Sequence, residues 1–263
     1  MRAVPLLMAA GMLFFAAPVQ TYAQGRGRGN APARSPKDGA PTDLTGYWVS
    51  IVTEDWRFRM VTPRKGDYAS VPLNAEGRRV ADTWDPDKDT AAGEQCRSYG
   101  APAIMRVPGR LHITWADDNT LRIDTDAGTQ TRLLHFQKIP PQGAASWQGD
   151  SVAQWEIPDL GRGQGGNAGP GAVREGAPQG GSLKVITTHL RPGYLRKNGV
   201  PYSADAVLTE YFSHTHEPNG DQWLIVTTIV EDPKYLMQPF ITSTHFKKQA
   251  DDSHWNPTPC VAK

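Results

Sequence analysis

Leu111-His112-Ile113-Thr114-Trp115-Ala116-Asp117-Asp118-Asn119-Thr120-Leu121-Arg122-Ile123-Asp124-Thr125 decides the fold class. Apolar residues recur at every second position, stop at Asp117-Asp118-Asn119, and resume with the same period. A period of two places alternate side chains on opposite faces of a strand. A second turn at Asp126-Ala127-Gly128 sends the chain back through Thr129 to Phe136. Turns this short join antiparallel strands only, because a parallel crossover needs a dozen or more residues. The stretch therefore predicts a three-strand antiparallel meander.

Outward from the meander, strands are predicted over Gly46–Thr53, Val152–Ile157, Leu183–Leu190, Val207–Ser213, Trp223–Val230 and Phe240–Lys247, all rich in β-branched or aromatic residues. The clearest helix signal opens at Asn74, a good N-cap, and covers Ala75 to Thr83 before Asp85-Pro86 stops it. With 26 Gly and 22 Pro, long helices are excluded. The expectation is an all-β, antiparallel barrel or sandwich over residues 42–263, with one short helix. Trp223–Val230 is apolar on both parities, which fits a barrel wall with one face turned to a cavity or covered by a loop.

Both flanking low-complexity stretches read as non-structural. Residues 24–41 (QGRGRGNAPARSPKDGAP) hold almost nothing that can be buried and predict a disordered tether. Residues 161–181 carry a Gly-x-Gly-x-x-Gly at Gly161, Gly163 and Gly166, but neither the strand nor the helix of a dinucleotide site flanks it. That segment is read as a flexible Gly/Pro-rich loop.

Residues 1–23 have the pattern of a secretory signal peptide. Arg2 is followed by the apolar run Val4–Val19 and by Thr21-Tyr22-Ala23 before Gln24. The reading places the chain in the periplasm or outside the cell, with no integral membrane segment once the signal is cleaved. Twenty-eight Lys and Arg against 27 Asp and Glu leave a charge of +1, no basis for binding nucleic acid. Export also decides how Cys96 and Cys260 are read: two cysteines in an oxidising compartment predict one disulfide.

Asp43-Leu44-Thr45-Gly46-Tyr47-Trp48 puts a Gly-x-Trp on the first strand after a polar leader. It resembles the opening strand of lipocalin-like (calycin) proteins. Trp56-Arg57-Phe58-Arg59 and the closing His245-Phe246-Lys247-Lys248 with Trp255-Asn256-Pro257 are similar to secreted bacterial proteins described only as lipocalin-like. The resemblance implies a barrel in which Trp48 packs across the closed end, and it implies no chemistry.

Candidate functional residues fall into four sets. Glu210, His245 and His112 each lie mid-strand among apolar neighbours. A carboxylate on such a face needs a partner or a polar cavity, and in a cavity these groups would suit proton transfer. Arg59 beside Trp56 and Phe58, and Arg106 downstream of Cys96-Arg97-Ser98-Tyr99, pair arginine with aromatic groups, a combination that holds carboxylates or planar ligands and also braces loops. Tyr202 closes a loop, Arg191 to Tyr202, that carries three cations and could cap a barrel mouth and contact an anionic or aromatic ligand, and Trp48 is a further ligand-binding candidate. Ser213-His214-Thr215-His216-Glu217 brings two histidines to one strand face, but it abuts the turn Pro218-Asn219-Gly220-Asp221 and lacks an assured third ligand, so no metal is assigned. No Gly-x-Ser-x-Gly, His-Glu-x-x-His or P-loop is present, and no cofactor is implied. The leading expectation is an exported barrel binding a small, mostly apolar molecule. The alternatives are an isomerase or lyase acting through Glu210, His245 and His112, and a structural domain of the envelope.

Overall fold

Nine strands close into a ring, and an odd number fixes one property in advance. Directions cannot alternate all the way round, so at least one neighbouring pair must be parallel. In the computed structural model, which describes residues 34–138, 140, 143–157 and 181–263, the ring order is β1 (Gly46–Ile51), β11 (Phe240–Gln249), β10 (Gln222–Glu231), β9 (Val207–His216), β6 (Ser182–Thr188), β5 (Asp150–Glu156), β4 (Gln130–His135), β3 (Thr120–Thr125) and β2 (Arg110–Asp117), which returns to β1. The parallel pair is β4 with β5, through Leu134↔Ser151 and His135↔Val152. All other neighbours are antiparallel. The meander is β2–β3–β4, with Ile113 opposite Ile123 and Leu121 opposite Leu134.

The period of two is realised as an inside and an outside. Leu111 and Ile113 of β2, Leu121 and Ile123 of β3, Leu134 of β4, Leu183 and Val185 of β6, Phe212 of β9, Leu224 and Val226 of β10 and Phe246 of β11 meet in one buried cluster around Trp48. Trp48 is fully buried, its Nε1 donates to the Leu44 carbonyl at 3.0 Å, and the Lys248 ammonium lies 4.5 Å from its ring centre. Among the described residues, side chains of this size occupy the barrel interior, as expected for a small barrel. Of the two apolar faces of β10, Leu224, Val226 and Val230 point inward, while Trp223, Ile225 and Ile229 form a half-buried outer face.

One end of the barrel is capped by everything the strand pattern did not foresee. Four short helices, α1 (Trp56–Arg59), α2 (Ala75–Ala81), α3 (Pro86–Ala91) and α4 (Ala101–Ile104), take the place of the single expected helix. Only α2, capped by the Asn74 side chain on Gly77 N–H at 2.8 Å, was announced by the sequence, and it ends at Ala81. The expected loop Arg191–Tyr202 contains a hairpin, β7 (Gly193–Arg196) and β8 (Val200–Tyr202). These elements pack on Leu208, Val230 and Phe240 through Leu195, Val200, Tyr202, Leu73 and Ala81, forming a second buried cluster.

Cys96 and Cys260 are bonded, with Cα atoms 5.1 Å apart and a sequence separation of 164. The bridge pins the C-terminal segment, where Thr258 N–H donates to the Asp126 carbonyl at 2.8 Å. Of the expected tether, residues 34–41 are placed against the barrel instead. The Trp155 indole donates to the Pro36 carbonyl at 2.9 Å, and Lys37 N–H donates to the Asp118 carbonyl. The rest of the tether, residues 24–33, lies outside the described residues, as do the signal sequence and the 161–181 loop save Gly181. Among the described residues no helix is long and apolar enough to cross a membrane.

Candidate functional site

A buried ion pair occupies the barrel interior between the two apolar clusters. Arg132 on β4 reaches across to Glu210 on β9 and grips both carboxylate oxygens, at 3.0 Å from Nη1 and 2.5 Å from Nη2. Both side chains are essentially inaccessible to solvent. Thr187 Oγ1 stands 3.5 Å from Arg132 Nη2 and shares a 2.8 Å hydrogen bond with Ser151. Thr228 and Thr242, in register with Glu210 across β9–β10–β11, complete a polar belt. Planar fork and carboxylate match in geometry, which is the arrangement that tolerates burial.

Glu210 is thereby separated from the two histidines grouped with it in the sequence. His245 has the opposite parity on β11 and stands on the outer face, where Nδ1 meets Thr53 Oγ1 at 2.9 Å and Glu54 Oε2 at 3.4 Å. His112 also faces outward, stacked on Tyr47 at 4.1 Å between ring centres with Trp255 edge-on to both. The three candidate proton-transfer groups occupy three separate environments. His214 and His216 have ring centres 4.3 Å apart, and His214 is already engaged by Thr42 at 2.8 Å and Gln222 at 3.2 Å. Burial, then the neighbouring His216, holds its pKa below the ordinary histidine value. Among the described residues, no three His, Cys, Asp or Glu are grouped to hold a metal ion.

The arginines do converge. Arg59 at the end of α1, Arg106 just after α4 and Arg196 at the end of β7 line one cleft at the capped end of the barrel, with Phe58, Ser98, Val107, Pro108 and Leu195. The cleft holds about 60 Å³. All three arginines are buried, at 8%, 6% and 4% exposure. Arg59 donates from Nε to the Arg106 carbonyl at 2.9 Å and from Nη2 to Ser50 Oγ at 3.0 Å, and Nη1 bonds Glu54. Arg106 Nη2 donates to Asp55 Oδ2 at 3.1 Å, but Nη1 has no partner among the described residues. Arg196 is the least satisfied. Nη1 donates to the Ala69 carbonyl at 2.6 Å, the guanidinium sits 4.2 Å from the Phe58 ring centre, and both Nε and Nη2 lack partners among the described residues.

The electrostatics follow from burial and mutual repulsion. Burial, then the charge of Arg106, lowers the Arg196 pKa to about 10. Burial also lowers Arg59 and Arg106, offset in part by Glu54 and Asp55 respectively. Desolvating like charges together is costly, so a site of this kind is poised to gain from an anion.

The sequence singles out Arg59 and Arg106, which the structure brings together, and offers Arg196 only as one of three cations in the Arg191–Tyr202 loop. Its signal was present, a cation inside Tyr194-Leu195-Arg196, a run buried throughout. Tyr202 and Trp48 lie elsewhere. Tyr202 is fully buried in the capping cluster with its hydroxyl unpartnered, and Trp48 is core. No family model, curated protein or solved structure matches this chain. The closed barrel is compatible with the calycin-like architecture suggested by Gly46-x-Trp48, and the agreement is one of architecture.

Proposed function

We propose that this protein is an exported β-barrel that binds a small molecule carrying apolar surface, and that it does so in the cleft between α1, α4 and β7. The Cys96–Cys260 bridge is compatible with an oxidising compartment. What carries the reading is the convergence of three buried arginines, two with unpartnered N–H groups, on a cleft with an apolar wall of Phe58, Val107, Pro108 and Leu195. Ligand sites commonly combine an apolar lining with a few aimed polar groups, and among the described residues the barrel interior holds the buried cluster around Trp48. The test is extraction and mass spectrometry of small molecules that co-purify with the exported protein, beside a Thr62→Trp variant. Thr62 lines the cleft and is partly exposed, so an indole there obstructs the cleft without entering the core. Wild type should carry a molecule that the variant lacks. Identical extracts from the two, or none from either, would leave a structural envelope domain as the better description.

A further inference from the structure

The geometry points to a carboxylate on an apolar body as the ligand of this cleft, its head bound by Arg196 and Arg106. The inference rests on the binding reading above and adds the ligand's chemistry. Around the cleft stand five cationic side chains, Arg57, Arg59, Arg106, Arg196 and Lys197, against three carboxylates, Glu54, Asp55 and Asp67. Each carboxylate already belongs to one arginine: Glu54 to Arg59, Asp55 to Arg106 and Asp67 to Arg57 at 2.7 Å. Among the described residues, Arg196 has no carboxylate within ion-pair distance. Its remaining donors are informative because Nε and Nη2 lie along one edge of the guanidinium and point the same way. Two parallel N–H groups on a rigid plane match the two oxygens of a carboxylate. Arg106 lines the same cleft, and its Nη1 is a further donor without a partner among the described residues. A buried guanidinium left with an open edge is costly, and an anion on that edge removes the cost.

Size separates head from body. A volume of about 60 Å³ is far below that of a site enclosing a whole drug-sized ligand, so it takes the head group alone. The rest of the molecule must lie against the apolar wall and the mouth. Val61 lines the cleft and is 68% exposed, and the same segment leaves Trp56 65% and Met60 59% exposed. Three large apolar side chains exposed within six residues, beside a buried cationic cluster, form the surface an amphiphilic anion would cover.

Isothermal titration of the full chain with octanoate, octanamide and inorganic phosphate tests the inference. Octanoate and octanamide share a body and differ in head charge. Octanoate should bind at least about tenfold more tightly than octanamide and weaken as salt rises. Arg196→Gln should remove that preference, bringing octanoate to about the affinity of octanamide, and Arg196→Lys, which keeps charge but loses the fork, should restore only part of it. Equal affinity for the two probes, with both lost in Thr62→Trp, would overturn the carboxylate assignment and leave the cleft reading intact. Phosphate binding more tightly than octanoate, or no binding of octanoate, would also overturn it. Co-purification judges the cleft reading separately. Should Arg196→Gln fail to fold, the wild-type comparison of octanoate with octanamide still decides.

Discussion

Replacing Glu210 by Gln should be among the most damaging single changes available in this barrel. The substitution preserves shape and leaves one acceptor, but strands the Arg132 guanidinium in the interior without a counter-charge. Arg132 has little else to turn to, since Thr187 Oγ1 is 3.5 Å from Nη2 and Nε has no partner at all. Breaking a buried pair from one side costs about 3–5 kcal/mol, because an uncompensated charge stays buried. For a domain of this size each kcal/mol moves the melting temperature by about 2–4 °C, so a fall of about 6–20 °C is expected. Removing both charges, as in Arg132→Met with Glu210→Leu, should restore most of the stability, because an apolar pair of similar volume has no desolvation cost to offset. Urea unfolding followed by tryptophan fluorescence, run as a double-mutant cycle, measures both numbers. A Glu210→Gln cost below about 1 kcal/mol, or a double variant as unstable as the sum of the singles, would refute the reading of this pair as a closed, mutually dependent unit.

Three further outcomes follow from the same structure. Replacing Cys96 and Cys260 together by Ser should lower stability by on the order of 5 kcal/mol on the loop-entropy account, less where the reduced chain keeps structure; denaturation with and without reductant measures it. Gly199→Ala should destabilise by about 2–4 kcal/mol, since φ is +83° and the new methyl would land on Trp84, and an unchanged urea midpoint would contradict this. His214 should make stability fall in acid. Its folded pKa lies below the ordinary value of 6.5, so on acidification the unfolded chain takes up the proton first, and stability declines as pH drops from about 6.5 toward the folded pKa. Urea midpoints across that range should decline less in His214→Gln than in wild type.

The wall of the barrel was legible because each of its strands has an inside and an outside, and the sequence writes that alternation directly. Leu111, Ile113, Leu121 and Ile123 announce both the strands and the face that is buried. The cap was not legible for a reason of length. Helices of four residues, such as Trp56–Arg59 and Ala101–Ile104, complete barely one turn, so no 3.6-residue period can appear in them. Their packing against the barrel end stabilises them, and that is tertiary information. The β7–β8 hairpin left a readable trace in Asn198-Gly199, a pair that favours tight turns, but its strands are buried on both parities and so show no alternation. The parallel β4–β5 pair has no local signature at all. It follows from the strand count and from ring closure.

For the site, the sequence identified residue types and left their company open. Glu210 among apolar neighbours required a partner, and the partner had the same kind of address, since Arg132 shares the inward parity of Leu134. Two inward charges of opposite sign on different strands make a pair more economical than an active site, and parity alone removes His245 and His112 from their company. Arg59, Arg106 and Arg196 gave the reverse case. They lie on α1, beside α4 and on β7, elements too short or too buried to announce their orientation, and sequence separations of 47 and 90 residues hide their meeting. The difference is physical. Inside the barrel the two opposite charges, Arg132 and Glu210, are paired with each other, although Arg132 Nε and the hydroxyls of Thr228 and Thr242 have no partner among the described residues. The capped end is assembled from short segments whose backbone is fixed by packing on the barrel, and there guanidinium groups can be buried with donors left open. The buried arginines with open donors therefore stand where the segments between the strands converge, and the charged pair of the wall is closed on itself.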